Sequence, residues 1–100
     1  MFVHAVYFWM KPEATDAQRA QLIADAKAYL GKVPGVRQLW AGPPAMTPRA
    51  VVDNSYAVGL LVALDDLAAH DVYQTHPTHL EFIERNKANW DRVQIYDFID

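Results

Sequence analysis

The densest run of chemically competent side chains is Tyr73-Gln74-Thr75-His76-Pro77-Thr78-His79. It sets two imidazoles, which exchange protons near neutral pH, a few residues from a phenol that can donate a hydrogen bond to a carbonyl oxygen. Pro77 disfavours the α conformation in the residue before it, so the run lies where two helical pieces meet and side chains can converge on a cavity. His4 is the second such residue. Strand alternation groups it with Phe2, Val6 and Phe8, and an imidazole on an apolar face needs a hydrogen-bond partner or a polar pocket. A structural role competes with a chemical one at each position. His76 can cap the second helical piece, His79 and His4 can be satisfied core histidines, and Tyr73 can be a packing residue with a wet tip.

Other chemistries find less support. His76 and His79 supply at most two metal ligands, and Asp71 and Glu84 complete no recognised spacing, so no metal site is expected. His70, beside Asp71 in mid-helix, is expected on the solvated side. Arg49 stands alone in a proline-rich stretch, either as a clamp for an anionic substrate or as a solvated loop residue. There is no glycine-rich phosphate loop, serine elbow or paired-carboxylate signature, which removes ATP-dependent, esterase and glycosidase chemistry. With no cysteine, disulfides, thiolate nucleophiles and iron–sulfur clusters are excluded.

The elements that must position these residues follow from periodicity. Residues 2–11 read as a strand that is apolar on both faces, with Phe2, His4, Val6, Phe8 and Met10 on one side and Val3, Ala5, Tyr7 and Trp9 on the other. A capping box at Thr15 and Gln18 opens an amphipathic helix over 15–31, and Pro34-Gly35 turns into a strand over 36–41. Residues 42–54, with three prolines, are expected to form a loop or lid. The apolar run 55–64 predicts a central strand. Asp65 and Asp66 start a helix that stops near Thr75, a second helical piece runs from Pro77 to Asn89, and a strand over 92–99 closes the chain. The order predicts an α+β ferredoxin-like sandwich, βαββαβ, with an antiparallel sheet and one domain over residues 1–100.

Helices cover only one sheet face in that architecture, which would leave Tyr7 and Trp9 in water. A homodimer packed through the open face resolves this, at about 25 cal/mol per Å² of apolar area buried. One hundred residues with 52% hydrophobic content make one small domain, whose site is either compact or shared with a partner subunit. A net charge of −3 with scattered basic residues argues against nucleic acid and anionic membranes. No basic leader or span-length apolar run is visible, so a cytoplasmic protein is expected.

Taken together, His4-Ala5-Val6-Tyr7-Phe8, Lys11-Pro12-Glu13, Ser55-Tyr56-Ala57-Val58, the Tyr73 to His79 run and Tyr96-Asp97-Phe98 resemble the stress-responsive dimeric A/B barrel (Dabb) family over nearly the whole chain. The resemblance implies a ferredoxin-like protomer whose sheets close into a barrel across a homodimer. It also implies, by analogy with a plant polyketide cyclase of that family, a cofactor-free lyase reaction with His79 as base, Tyr73 as helper and His4 as the strand histidine. Trp9 departs from the basic residue common there. Two alternatives stand beside this cyclase or lyase reading on a small polyketide-like or phenolic molecule. One is a non-catalytic dimeric module that binds a small apolar or aromatic ligand or serves in stress. The other is a cofactor-free monooxygenase acting on an aromatic substrate.

Because no cysteine is available to complete a closed structural metal site, folding should need no metal. Treatment with a chelator should leave the circular dichroism spectrum of the folded protein intact, and unfolding under chelation would overturn this expectation.

Overall fold

Alternation at the start of the chain gives β1 (Phe2–Met10), whose even-numbered residues Phe2, His4, Val6 and Phe8 are buried while Val3, Tyr7 and Trp9 are only partly covered. The computed structural model describes all of residues 1–100. Thr15 caps α1 (Asp16–Asp25) through the expected box, its hydroxyl accepting from the Gln18 amide and the Gln18 side chain accepting from the Thr15 amide. The helix then widens into a π turn, Ala26–Leu30, where the sequence pattern predicts one uninterrupted helix over 15–31. This turn still buries Ala26 and Leu30 against the sheet.

The chain continues through β2 (Val36–Gly42) and β3 (Val58–Leu64), then α2 (Leu67–Thr75), α3 (Pro77–Asn86) with a 3₁₀ turn at Lys87–Asn89, and β4 (Trp90–Ile99). The predicted run 55–64 is therefore shorter as a strand. Ala57 still donates its amide to the Phe8 carbonyl, but pairing in the β1–β3 ladder starts only at Val58. Strand order is β2-β3-β1-β4, antiparallel at every junction, which makes the expected ferredoxin-like α+β sheet with β1 and β3 at its centre.

The core lies between this sheet and the helices, with Val6, Phe8, Leu22, Leu30, Val58 and Val62 among its buried members. One polar group ties the helical layer together. Asp25, at the end of α1, accepts from the Arg85 guanidinium at 3.0 Å and from the Asn86 amide at 3.0 Å, so α1 and α3 are joined through a nearly buried carboxylate whose lone pairs are satisfied. Gly35 takes a left-handed φ of 90°, and a Cβ there would stand 2.8 Å from that of Ala69, so the turn before β2 presses directly against α2.

The other sheet face carries Tyr7, Trp9, Trp40, Leu61, Tyr96 and Phe98, of which Trp40, Tyr96 and Phe98 are more than half exposed in the single chain. The Arg92 guanidinium stacks over Trp9 at 4.1 Å from the ring centre, and the Trp9 indole donates to Ser55. No helix is long and apolar enough to cross a membrane.

Candidate active site

Three elements deliver the sequence-predicted residues to one place. His4 comes from the helix-side face of β1, Tyr73 from the last turn of α2, and His79 from the first turn of α3. Pro77 occupies the first position of α3, where its missing amide is no loss, and His76 caps that helix as its ring Nδ1 accepts from the Thr78 amide at 3.1 Å. The break between α2 and α3 turns Tyr73 and His79 toward each other, with ring centres 4.5 Å apart, and His4 lies edge-on to Tyr73 at 5.7 Å. All three are buried and line one cavity of about 230 Å³. Its other walls are mostly apolar, including Phe8, Leu60, Phe82 and Trp90, with Val93 and Ile95 of β4 along one flank. No lysine, arginine or carboxylate lines it, so the cavity suits a neutral, largely apolar molecule.

Hydrogen bonding sets the state of each ring. His79 Nδ1 lies 3.1 Å from the Gln74 carbonyl oxygen, which can only accept, so Nδ1 carries the proton and Nε2 holds a lone pair. Burial lowers the His79 pKa below the ordinary histidine value; the Gln74 bond acts in the opposite sense, and the neighbouring His4, His70 and His76 reinforce the lowering. His4 follows the same logic. Its Nδ1 donates to Asp97 Oδ1 at 2.6 Å, and burial outweighs that carboxylate and leaves the ring's pKa lowered. Burial pushes the Tyr73 phenol up, so it stays protonated and able to donate.

Several expectations are corrected. His70 is not on the solvated side. Its ring stacks on Phe2 at 4.4 Å, its side chain is only 12% exposed, and its Nε2 lies 2.9 Å from the Gln74 amide nitrogen and 4.0 Å from Asp97 Oδ2. The helix turns this face inward because Phe2, at the start of the central strand, offers it an aromatic surface. The loop 42–54 is no lid for this cavity, since none of its residues lines the space; Pro43, Pro44 and Met46 flank α1 instead. Arg49 is exposed in that loop, and it clamps nothing at the cavity. The residues weighed as extra ligands for His76 and His79 also go elsewhere, as Glu84 pairs with Lys87 and Asp71 with His70.

Sequence reasoning missed Asp97 and Gln74. A signal for Asp97 existed: it shares strand parity with Val93 and Ile95, and the antiparallel register sets it directly opposite His4. Gln74 acts through its backbone carbonyl, which no side-chain pattern advertises.

The family model described as Stress responsive A/B Barrel Domain matches residues 2–100, and the chain belongs to that family. Among curated proteins none matches. Similar solved structures include a Dabb family protein with a ferredoxin-like fold from Mesorhizobium loti, at 24% identity and a TM-score of 0.80 over 99% of this chain and 95% of that one. A dimeric ferredoxin-like protein of unknown function from Thermobifida fusca aligns at 17% identity and a TM-score of 0.84, covering 99% and 90%. A hydroxynitrile lyase from Passiflora edulis aligns at 18% identity and a TM-score of 0.81, covering 99% and 92%. At these identities the likeness is one of fold.

The two lowered histidines give stability a definite pH dependence. Because the unfolded rings take up protons near the ordinary value of 6.5 and the native rings resist until lower pH, stability is full above that value and declines as pH falls below it. Urea midpoints should therefore drop between pH 7.5 and pH 5.5, with a shallower drop in His79→Gln; a flat or rising profile would contradict the assignment.

Proposed function

We propose that this stress responsive A/B barrel protein is a cofactor-free lyase or cyclase that moves a proton on a small, neutral, largely apolar carbonyl compound. The observation that carries the reading is the His79 ring, held neutral by burial, with its Nδ1 proton committed to the Gln74 carbonyl and its Nε2 lone pair left for the cavity it lines. Nε2 takes a proton from the carbon beside the carbonyl, or from a hydroxyl, and negative charge grows on the substrate oxygen. Tyr73, protonated and on the same cavity wall, donates a hydrogen bond to that oxygen. His4, fixed by Asp97, orients the substrate from the opposite side. In a cyclisation the enolate carbon forms a bond to a second carbonyl carbon of the same molecule, whose oxygen takes the proton back from His79. In the lyase direction, loss of the hydroxyl proton lets the adjacent carbon–carbon bond break to a carbonyl and a carbanion, which takes that proton, so no redox step and no cofactor is called for. The hydroxynitrile lyase among the similar structures makes lyase chemistry on this fold a physical precedent.

A second copy of the chain is proposed to cover the open sheet face. The size of the aromatic patch supports this, as does the description of the Thermobifida fusca protein as dimeric.

Deuterium uptake from heavy water beside the carbonyl of a panel of small aryl ketones, followed by NMR, reads the proton transfer directly, whatever product the full reaction forms. Uptake should fall on the order of 10² to 10⁴-fold in His79→Ala and should also fall in Tyr73→Phe, with melting temperatures kept. No uptake by the wild type across the panel, or losses that merely follow stability, would favour a non-catalytic binding module.

Sedimentation tests the assembly. Tyr7→Glu should shift the protein toward monomer while the surface change Arg19→Glu does not. Trp9→Glu should act more weakly, because Arg92 already lies over that position and would pair with the new carboxylate. A monomeric wild type at micromolar concentration would overturn the proposal.

A further inference from the structure

We propose that His4, His70 and Asp97 form a binding site for a divalent first-row transition ion of the zinc type. The inference rests on ligand chemistry and not on the proposed reaction, with which it shares His4. One ligand atom from each residue lies within 4.8 Å of the others, and the three come from β1, α2 and β4, so the fold itself brings them together. Two imidazole nitrogens and one carboxylate oxygen suit zinc or cobalt(II) rather than magnesium or calcium, which prefer all-oxygen shells.

The ring states favour the site. His70 Nδ1 lies 3.3 Å from Asp71 Oδ1 and bears the proton, so Nε2 carries the lone pair, which accepts from the Gln74 side-chain amide at 2.9 Å until an entering ion displaces that amide. A ligating histidine whose other nitrogen donates to a carboxylate is the usual second-sphere arrangement around a bound metal. At bond lengths of about 2.0–2.2 Å, tetrahedral ligand atoms stand roughly 3.3 Å apart. The contact between His4 Nδ1 and Asp97 Oδ1, 2.6 Å, must therefore open, and that between His70 Nε2 and Asp97 Oδ2, 4.0 Å, must close. Both adjustments are within reach of side-chain rotation, because Asp97 sits on an edge strand with its side chain about one-third exposed. An entering ion replaces the Nδ1 proton of His4, and that proton moves to Nε2. Three protein ligands leave a fourth position open, as in sites that exchange their metal or bind a small molecule on it.

Calorimetric titration of the purified, chelator-washed protein with zinc chloride, paired with the visible absorption of added cobalt(II), tests the proposal. One ion per chain should bind, with a tetrahedral cobalt spectrum. His70→Ala and His70→Phe should each weaken binding by more than the roughly 10- to 100-fold that loss of an outer contact costs. The phenylalanine variant keeps a ring against Phe2, so its loss of affinity cannot be blamed on a damaged fold. His76→Ala, whose ring caps α3, should bind zinc as the wild type does. Absence of saturable binding, binding unchanged in His70→Phe, or binding lost in His76→Ala would each overturn the site. Neither readout needs a substrate, so failure here is separable from failure of the proposed reaction.

Discussion

A buried imidazole on the central strand is the constraint from which the rest of the site follows. His4 interrupts an apolar face between Phe2 and Val6, and a ring in that position is tolerated only with a hydrogen-bond partner. The partner is Asp97, set opposite it by the β1–β4 ladder. Slipping that ladder by one residue would turn Asp97 to the open face and leave the imidazole orphaned, so this polar pair opposes misregistration just as the hydrophobic pattern does. With the strand fixed, α2 sets Tyr73 edge-on to His4, and α3 brings His79 against Tyr73.

Electrostatics and packing then work in the same direction. All four histidines of the chain lie in or beside this region, and charge on His4, His70 or His76 would raise the cost of protonating His79. Burial keeps His4 and His79 neutral, and a neutral imidazole has one donor and one acceptor. Both rings spend the Nδ1 donor on the protein, one on a carboxylate and one on a main-chain carbonyl. The free nitrogens are thereby of one kind, and the cavity offers proton acceptors without carrying a formal charge.

Most of the fold was legible because its signals were local. The alternation of Phe2 to Met10, the Thr15 and Gln18 box, and the Pro77 break each determine their own neighbourhood and were realised as the pattern suggested. The grouping of His4, Tyr73 and His79 was legible too, from a strand parity, a helix break and a family resemblance. Most of the missed features are products of tertiary packing. His70 looked solvated beside Asp71 until Phe2 supplied a surface for its ring, and Asp97 gained meaning only through strand register. The loop after β2 has the composition of a lid, but composition says nothing of which side it folds to, and it flanks α1. The π turn at Ala26–Leu30 has no proline or glycine inside it to announce the change of pitch.

The close approach of Gly35 to Ala69 has a consequence for how such a scaffold can diverge. Ala69 adjoins His70 and lies one turn before Tyr73, so the glycine acts as the hard stop against which α2 is seated. Backbone conformation and lack of space both oppose a larger residue there, and neither is relieved by repacking a flexible side chain. Changes at the cavity's apolar walls can alter what fits without moving the histidines. A side chain at position 35 would instead lever the whole helix outward, dragging phenol and imidazole together off the strand. The shape of the cavity and the alignment of Tyr73 with His79 are thus separately heritable in this fold, the first written in the lining and the second in a single missing methyl group on the far side of the helix.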